Sequence, residues 1–389
     1  MTPLTAEEKL KLLINFGNEI STEVRLEALL DKIAHKITAM LNCDRCIIYL
    51  LDKKKHHLWS TISKGKGLEH SEIKIPLKAK HIISDAVKER KTINISAKKY
   101  DLSLTMNIDL VTEYKTKNLL LVPITNEKGN VLGVFHVSNK VDGNDFDKDD
   151  EGILQLLGTM ASNYIQISKL YENLRLSQLE TIYRLAVTAE FRDQEDTPVH
   201  LKHISIISFL LAKELKLSKS RAEDIKHASP LHDIGKVAIP DKILLKPGRL
   251  TNDEFEIMKE HTKYGNKILD GAHSRFLRTA QKICLYHHEK FDGSGYPFGL
   301  KGDKIPVEAK IVSVADVFDA LCMKRHYKPA WAPEDAFKFI QEKSGKDFDP
   351  KVAKAFEKVY KKIRPLYNNE EDSSLLEEFS FVSTLPISQ

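Results

Sequence analysis

Hydrophobic positions along the first 165 or so residues switch between helical and strand spacing. Residues 21–42 carry Leu26, Leu29, Leu30, Ile33, Ile37, Met40 and Leu41, the three-to-four spacing of a single helix face. Short runs of strand-forming residues follow: Cys46-Ile47-Ile48-Tyr49-Leu50-Leu51, Leu58-Trp59-Ser60-Thr61-Ile62, Ile73-Lys74-Ile75-Pro76-Leu77, Leu119-Leu120-Leu121-Val122-Pro123-Ile124, and Val131-Leu132-Gly133-Val134-Phe135-His136-Val137. Turn residues Thr125-Asn126-Glu127-Lys128-Gly129-Asn130 join the last two as a hairpin. The pattern predicts an antiparallel sheet with flanking helices over 1–165. From Asp149 to about Arg192 it becomes one long helix, the connecting segment of 150–192, with no proline. Ile153, Met160, Ile167 and Leu174 recur every seven residues, and Leu156 and Leu170 take the companion position. This stripe predicts a homodimer through a parallel coiled coil. Polar Asn163 and Ser177 weaken the seam, and the alternative is a helix packed on its own domain.

Residues 180–365 read as all-helical. Thr197-Pro198 has the form of an N-cap followed by a first-turn proline, Thr251-Asn252-Asp253-Glu254 that of a capping box, and Asp349-Pro350 opens a further helix. The segment 366–389 carries Glu370, Glu371, Asp372, Glu377 and Glu378 and is expected to be an acidic extension. The fold class is therefore an α+β domain joined by a long helix to an all-α domain.

Composition narrows the function. The 389 residues are 42% hydrophobic and 30% charged, the balance of a water-soluble protein with room for two cores. The net charge of +5 comes from scattered lysines, which read as solvated surface, so no nucleic-acid polymer is expected as partner. No run of 18 apolar residues exists, and Met1-Thr2-Pro3-Leu4-Thr5-Ala6-Glu7-Glu8 has neither a basic start nor an apolar stretch, so neither a membrane span nor a signal peptide is expected. Cys43 and Cys46 form a lone C-x-x-C with no second pair to complete a zinc site. With Cys284 and Cys322 they read as buried thiols in a reducing cytoplasm.

The candidate chemistry is in the second half. His232-Asp233 and His287-His288 are two doublets of ligand-forming residues 55 positions apart. Neighbours on a helix point about 100° apart, so a doublet serves two adjacent ions, or places a carboxylate between them, more readily than it grips one. His200, with Asp196 four residues before it, and His261, placed on the helix begun by the capping box, are further candidates. Asp316 is a carboxylate in an otherwise apolar helix, costly to bury unless paired or metal-bound. Imidazole and carboxylate suit iron, manganese, cobalt or zinc. Singly, each histidine reads as surface or core. His203, His227, His273 and His326 lack supporting neighbours and are left out.

Two resemblances carry the reading further. Asn139-Lys140, followed by Phe146-Asp147-Lys148-Asp149-Asp150-Glu151, is similar to the N-K…F-x-x-x-D-E pattern of GAF domains over about 140 residues, which implies a small-molecule ligand. Lys140 and Asp150 also have a structural reading, as an ion pair tying the sheet to the exit helix. His232-Asp233-Ile234-Gly235-Lys236 and His287-His288-Glu289-Lys290-Phe291-Asp292-Gly293-Ser294-Gly295-Tyr296-Pro297 resemble the paired signatures of the HD-GYP family over about 170 residues. That resemblance implies a phosphodiesterase linearising cyclic di-GMP to pGpG, with GMP as an alternative end product, at two or three divalent ions, most often iron, alternatively manganese. It implies His200, His232, Asp233, His261, His287, His288 and Asp316 as ligands. Asp196 stands where members with three ions have glutamate, and its other reading is a cap on the helix after it. Asp233 and Lys236 become catalytic. Lys236, Gly293, Tyr296, Arg325 and Lys328 become substrate contacts, with Asp319 a further candidate. Arg325-His326-Tyr327-Lys328 departs from the family's R-P-Y-R, and a lysine at 328 loses the bidentate fork of arginine. Glu27-Ala28-Leu29 spells the signature of another phosphodiesterase class but has no acidic cluster nearby and reads as coincidence.

Overall fold

The computed structural model describes residues 6–52, 54, 56–60, 63–64, 73–79, 81–96, 115–191, 197–323 and 330–367. The chain divides into two compact units, 1–175 and 176–389.

The first unit is built on an antiparallel sheet. Its strands are β1 (Cys43–Asp52), β2 (His57–Ser60), β3 (Ser63–Lys64), β4 (Ile73–Pro76), β5 (Ile93–Ser96), β6 (Asn118–Thr125) and β7 (Val131–Lys140), in the order β4-β2-β1-β7-β6-β5 with β3 also on β1. Strand alternation gives the sheet two apolar faces. One carries Ile48, Leu50, Leu120, Val122, Phe135 and Val137, in one core with Leu29, Leu30, Ile33 and Ile37 of helix Leu26–Met40, Phe16 and Ile20 of helix Ala6–Ser21, and Leu154, Leu157 and Ile165 of helix Lys148–Glu190. The other carries Ile47, Tyr49, Leu119, Leu121 and Val134, in one core with Ile83, Ala86 and Val87 of helix Ile82–Glu89. The helical stripe expected over 21–42 forms over Leu26–Met40, and Asn42, at a φ of 48°, turns the chain into β1. All four cysteines are free and buried, and burial pushes the Cys43 thiol up to about 12 and Cys46 well above its usual value. Cys43 and Cys46 are neutral packing groups at the helix-to-strand corner.

Lys140 Nζ lies 2.7 Å from Asp150 Oδ2, which also accepts from the Asp147 backbone N–H at 2.9 Å. The pair ties the end of β7 to the first turn of the long helix. On that helix, Ile153 and Met160 of the expected seven-residue stripe pack against the unit's own core, whereas Leu156, Ile167, Leu170 and Leu174 are exposed.

The second unit is helical throughout its described residues. At its centre, helix Thr197–Glu214 is buried on nearly every side from His200 to Ala212, the mark of a helix enclosed by others. Its core includes side chains from helices Lys219–Ala228, Arg275–Tyr286, Val307–Cys322, Pro333–Glu342 and Pro350–Ile363. Two start signals read from sequence are present: Thr251 and Glu254 form the reciprocal capping box, and the Asp349 side chain accepts from the Lys351 N–H. No helix among the described residues is long and apolar enough to cross a membrane.

Candidate metal centre

The two ligand doublets do not lie within regular α-helix. His232 closes the short 3-10 turn Ser229–Leu231, and Asp233 precedes the next one, Ile234–Ala238. His287 caps helix Arg275–Tyr286, and His288 lies just beyond it. His261, expected from sequence on the capping-box helix, does not lie on it. That helix ends at Lys259, and His261 opens a separate one, His261–Ile268. The break turns His261 toward Asp233, its Nε2 3.2 Å from Asp233 Oδ1.

Four of the histidines are held in the same way. Nδ1 of His232 donates to the Ser229 carbonyl (3.1 Å), Nδ1 of His261 to Met258 (2.8 Å), and Nδ1 of His287 to Ile283 (3.0 Å). His200 Nδ1 faces the Asp319 carboxylate at 2.6 Å. A carbonyl only accepts, so in His232, His261 and His287 the Nδ1 carries a ring proton and Nε2 is the atom turned to the centre. All four Nε2 atoms are buried without a hydrogen-bond partner, as is Asp233 Oδ1. Buried polar atoms left this way call for a missing partner. Donors of this kind, converging in two groups, fit divalent cations. Asp233, His261, His287 and His288 each offer one atom within 4.8 Å of the others, and so do His200, His232 and Asp316. Asp316 Oδ1 is 3.8 Å from both His200 Nε2 and His232 Nε2. His232 Nε2 lies 3.4 Å from Asp233 Oδ2, so Asp233 stands between the groups.

The electrostatics follow from burial. Burial alone raises the Asp233 carboxyl, but Lys236, 2.9 Å away, and the surrounding imidazoles outweigh it and hold it well below the usual range. Burial lowers His232 to about 4 against the pull of Asp233 and Asp316, and it lowers His288, helped by His287 and His261, well below its usual value. His200 goes the other way. Burial pulls it down, but the hydrogen bond and charge of Asp319, with Glu190 and Asp316, raise it to about 9.

The loop after the second doublet walls the site. Tyr296 stacks on His288 with ring centroids 4.7 Å apart. Glu289, buried, accepts from the backbone N–H groups of Phe298 and Leu300, both at 2.8 Å, and so fixes that loop. Gly293 has a φ of 89°, which favours glycine, and a Cβ at Gly295 would lie 2.2 Å from the Lys290 backbone nitrogen.

Of the residues expected from sequence, the structure brings together His200, His232, Asp233, His261, His287, His288, Asp316, Lys236 and Tyr296. Asp196, Arg325 and Lys328 lie outside the described residues. Asp319, expected against substrate, is instead fully buried. Its carboxylate is taken up by His200, by His203 at 2.7 Å and by the Tyr367 hydroxyl, which places it behind the ligands as an orienting group. The reason is spacing: Asp316 and Asp319 share one face of their helix, and His200 and His203 share the facing one. Sequence reasoning missed His203, Tyr367, Glu289 and Glu190. Glu190 carried a readable signal, since Leu179, Tyr183 and Ala186 form a buried stripe and a charged residue takes its next position.

Comparison with known proteins agrees with this geometry. The GAF domain model matches residues 25–165, and the HD domain model matches 180–352. The chain carries a GAF domain followed by an HD domain. It is 48% identical over 176 residues to the cyclic di-GMP phosphodiesterase response regulator RpfG of Xanthomonas campestris pv. campestris (strain 8004), covering 45% of this chain and 46% of that one. It is 46% identical over 202 residues to a cyclic di-GMP phosphodiesterase of Thermotoga maritima, covering 52% and 54%. It is 45% identical over 180 residues to the 3'3'-cGAMP-specific phosphodiesterase 2 of Vibrio cholerae, covering 46% and 34%. The chain spans about half the length, or less, of these curated relatives.

Proposed function

We propose that the HD domain hydrolyses cyclic di-GMP to pGpG at a centre of two or three divalent ions, iron or alternatively manganese, under control of the GAF domain. The observation that carries this is the convergence of four buried Nε2 atoms and Asp233, beside a lysine, in a domain whose relatives are named for that activity. His200, His232, Asp233, His261, His287, His288 and Asp316 hold the ions, and Asp196 supplies the carboxylate of a third. Bound divalent ions would acidify water and offset phosphate charge. Within the chain, Asp233 links the two ligand groups and Lys236 neutralises a phosphate oxygen. Gly293 and Tyr296 shape the substrate wall, and Arg325 with Lys328 holds the phosphates. Purified protein with ferrous iron or manganese should yield pGpG from cyclic di-GMP, followed by chromatography. No product above a metal-free control across several divalent metals would leave a non-catalytic receptor as the better reading. A second substrate reading, a mixed cyclic dinucleotide, has support from the Vibrio cholerae relative named for 3'3'-cGAMP. Competition between the two substrates ranks them.

Metal binding should release protons. His200, raised to about 9, carries a proton at pH 7 when no ion is bound, and a ligand imidazole must be neutral. Affinity for manganese should therefore rise by about tenfold per pH unit for each proton released, and level off above about pH 9 for the His200 proton. Calorimetric titration in buffers of different ionisation enthalpy counts those protons.

The GAF domain is proposed to take a small molecule. Tyr49 Oη, both ring nitrogens of His136 and Ser138 Oγ are buried on one sheet face without hydrogen-bond partners. A metabolite screen by thermal unfolding, with His136→Leu as control, tests this. The exposed Leu156, Ile167, Leu170 and Leu174 support a homodimer through the connecting helix. Leu170→Glu with Leu174→Glu should then shift the sedimenting species from dimer to monomer, and wild-type protein sedimenting as a monomer would reject the dimer. A cytoplasmic site of action is part of the same proposal, supported by the four free thiols.

A further inference from the structure

One buried carboxylate at the centre belongs to neither signature motif. Glu190 is the last residue of helix Lys148–Glu190 and is fully buried. Its Oε2 lies 4.0 Å from His200 Nε2, and its Oε1 lies 4.0 Å from His232 Nδ1. Asp316 Oδ1 stands 3.8 Å from the Nε2 atoms of the same two histidines. Glu190, His232 and Asp233 also offer one atom each within 4.8 Å of one another. Ligand atoms around an ion with bonds of about 2.1 Å sit roughly 3.0–3.4 Å apart. The separations of 3.8–4.0 Å here are about 0.4–1.0 Å wider, a difference that side-chain rotations close. Burying a carboxylate is costly, and a divalent cation is the charge these imidazoles are arranged to hold.

We propose that Glu190 is itself a ligand, sharing an ion with His232 and Asp233 beside His200, so that the helix that ends at Glu190 ends inside the metal's coordination sphere. This rests on the metal-centre reading above. The rise along a helix is about 1.5 Å per residue, so even a one-residue slip of the last turn carries the carboxylate out of bonding range. Events at the end of this helix would then be read as a change in metal occupancy.

The test compares full-length wild-type protein with Glu190→Gln, which keeps the shape and removes the charge. Both are loaded anaerobically with manganese, and bound metal is counted by elemental analysis. Release into excess EDTA is timed, and the metal-free forms are melted. Glu190→Gln should hold about one equivalent less manganese, or release it at least about tenfold faster. Its metal-free form should melt no lower than the metal-free wild type, because a buried charge is gone. Glu190→Asp, with a shorter reach, should fall between the two in release rate. Equal stoichiometry and equal release rates in wild type and Glu190→Gln would overturn the assignment. So would metal loss accompanied by a much lower melting temperature of the metal-free variant, which would mark a structural role. Wild-type protein that holds no metal at all would instead remove the metal-centre reading on which the inference rests.

Discussion

Asp233→Ala is expected to abolish turnover, by at least about a thousandfold, and to strip metal from the centre. The two oxygens of Asp233 lie within 3.5 Å of His232, His261, His287 and Lys236. Removing it takes away a carboxylate that stands between both ligand clusters, and with it the partner 2.9 Å from the Lys236 ammonium. His232→Ala should behave similarly, since it deletes the Nε2 that looks toward both Asp233 and Asp316. The measurements are bound metal by elemental analysis and initial rates with cyclic di-GMP, with circular dichroism to show that the fold persists. Full activity in Asp233→Ala would sink the assignment of the site.

The second large effect is expected where no ligand is touched. Gly235 lies in the 3-10 segment between Asp233 and Lys236, against helix His261–Ile268. A Cβ built there would sit 1.9 Å from the His261 carbonyl oxygen and 2.4 Å from the Gly265 backbone nitrogen. Neither neighbour is a side chain that can swing away, so the segment and the helix must part. Gly235→Ala should cost about 3 kcal/mol, the upper end of overpacking. For a unit of this size that is a fall of about 6–12 °C in Tm. Because the segment follows Asp233 and the helix opens with His261, parting them should lower metal affinity as well. Differential scanning calorimetry with and without manganese separates the two losses. An unchanged Tm would mean that the close approach of these two segments is not a feature of the folded protein.

Much of the site is legible in the sequence, for identifiable reasons. The doublets stand out because adjacent ligand residues are hard to explain as packing. Asp316 stands out because a lone acid in an apolar helix needs a partner. Most strands of the first unit are legible, from the long Val131–Lys140 to the four-residue Ile73–Pro76, but β3 and β5 are not. Ile-Asn-Ile-Ser of β5 is four residues at the sheet edge and offers too little periodicity to separate from a loop. The helix Ala6–Ser21 does carry Leu13, Phe16 and Ile20 at helical spacing, a signal that the sequence reading left unused. Asp319 reads as a substrate contact because its position in the motif is suggestive, but only the pairing of two helices reveals that it faces His200 and His203. His203 fails for the converse reason: its partner lies 116 residues away in the chain, and nothing local marks it.

The way the four imidazoles are tethered also sets where this sequence is free to drift. At three of them the acceptor that fixes the ring is a main-chain oxygen, of Ser229, Met258 and Ile283. Every residue type supplies that atom, so side-chain changes at 229, 258 and 283 that keep the local packing leave the coordinating nitrogen undisturbed. The fourth tether is the side chain of Asp319, and only a carboxylate there can receive His200 and His203 together. Three of the four supports therefore tolerate mutation by construction. The fourth is the point at which a neutral walk through sequence space would first lose the centre without touching a single ligand.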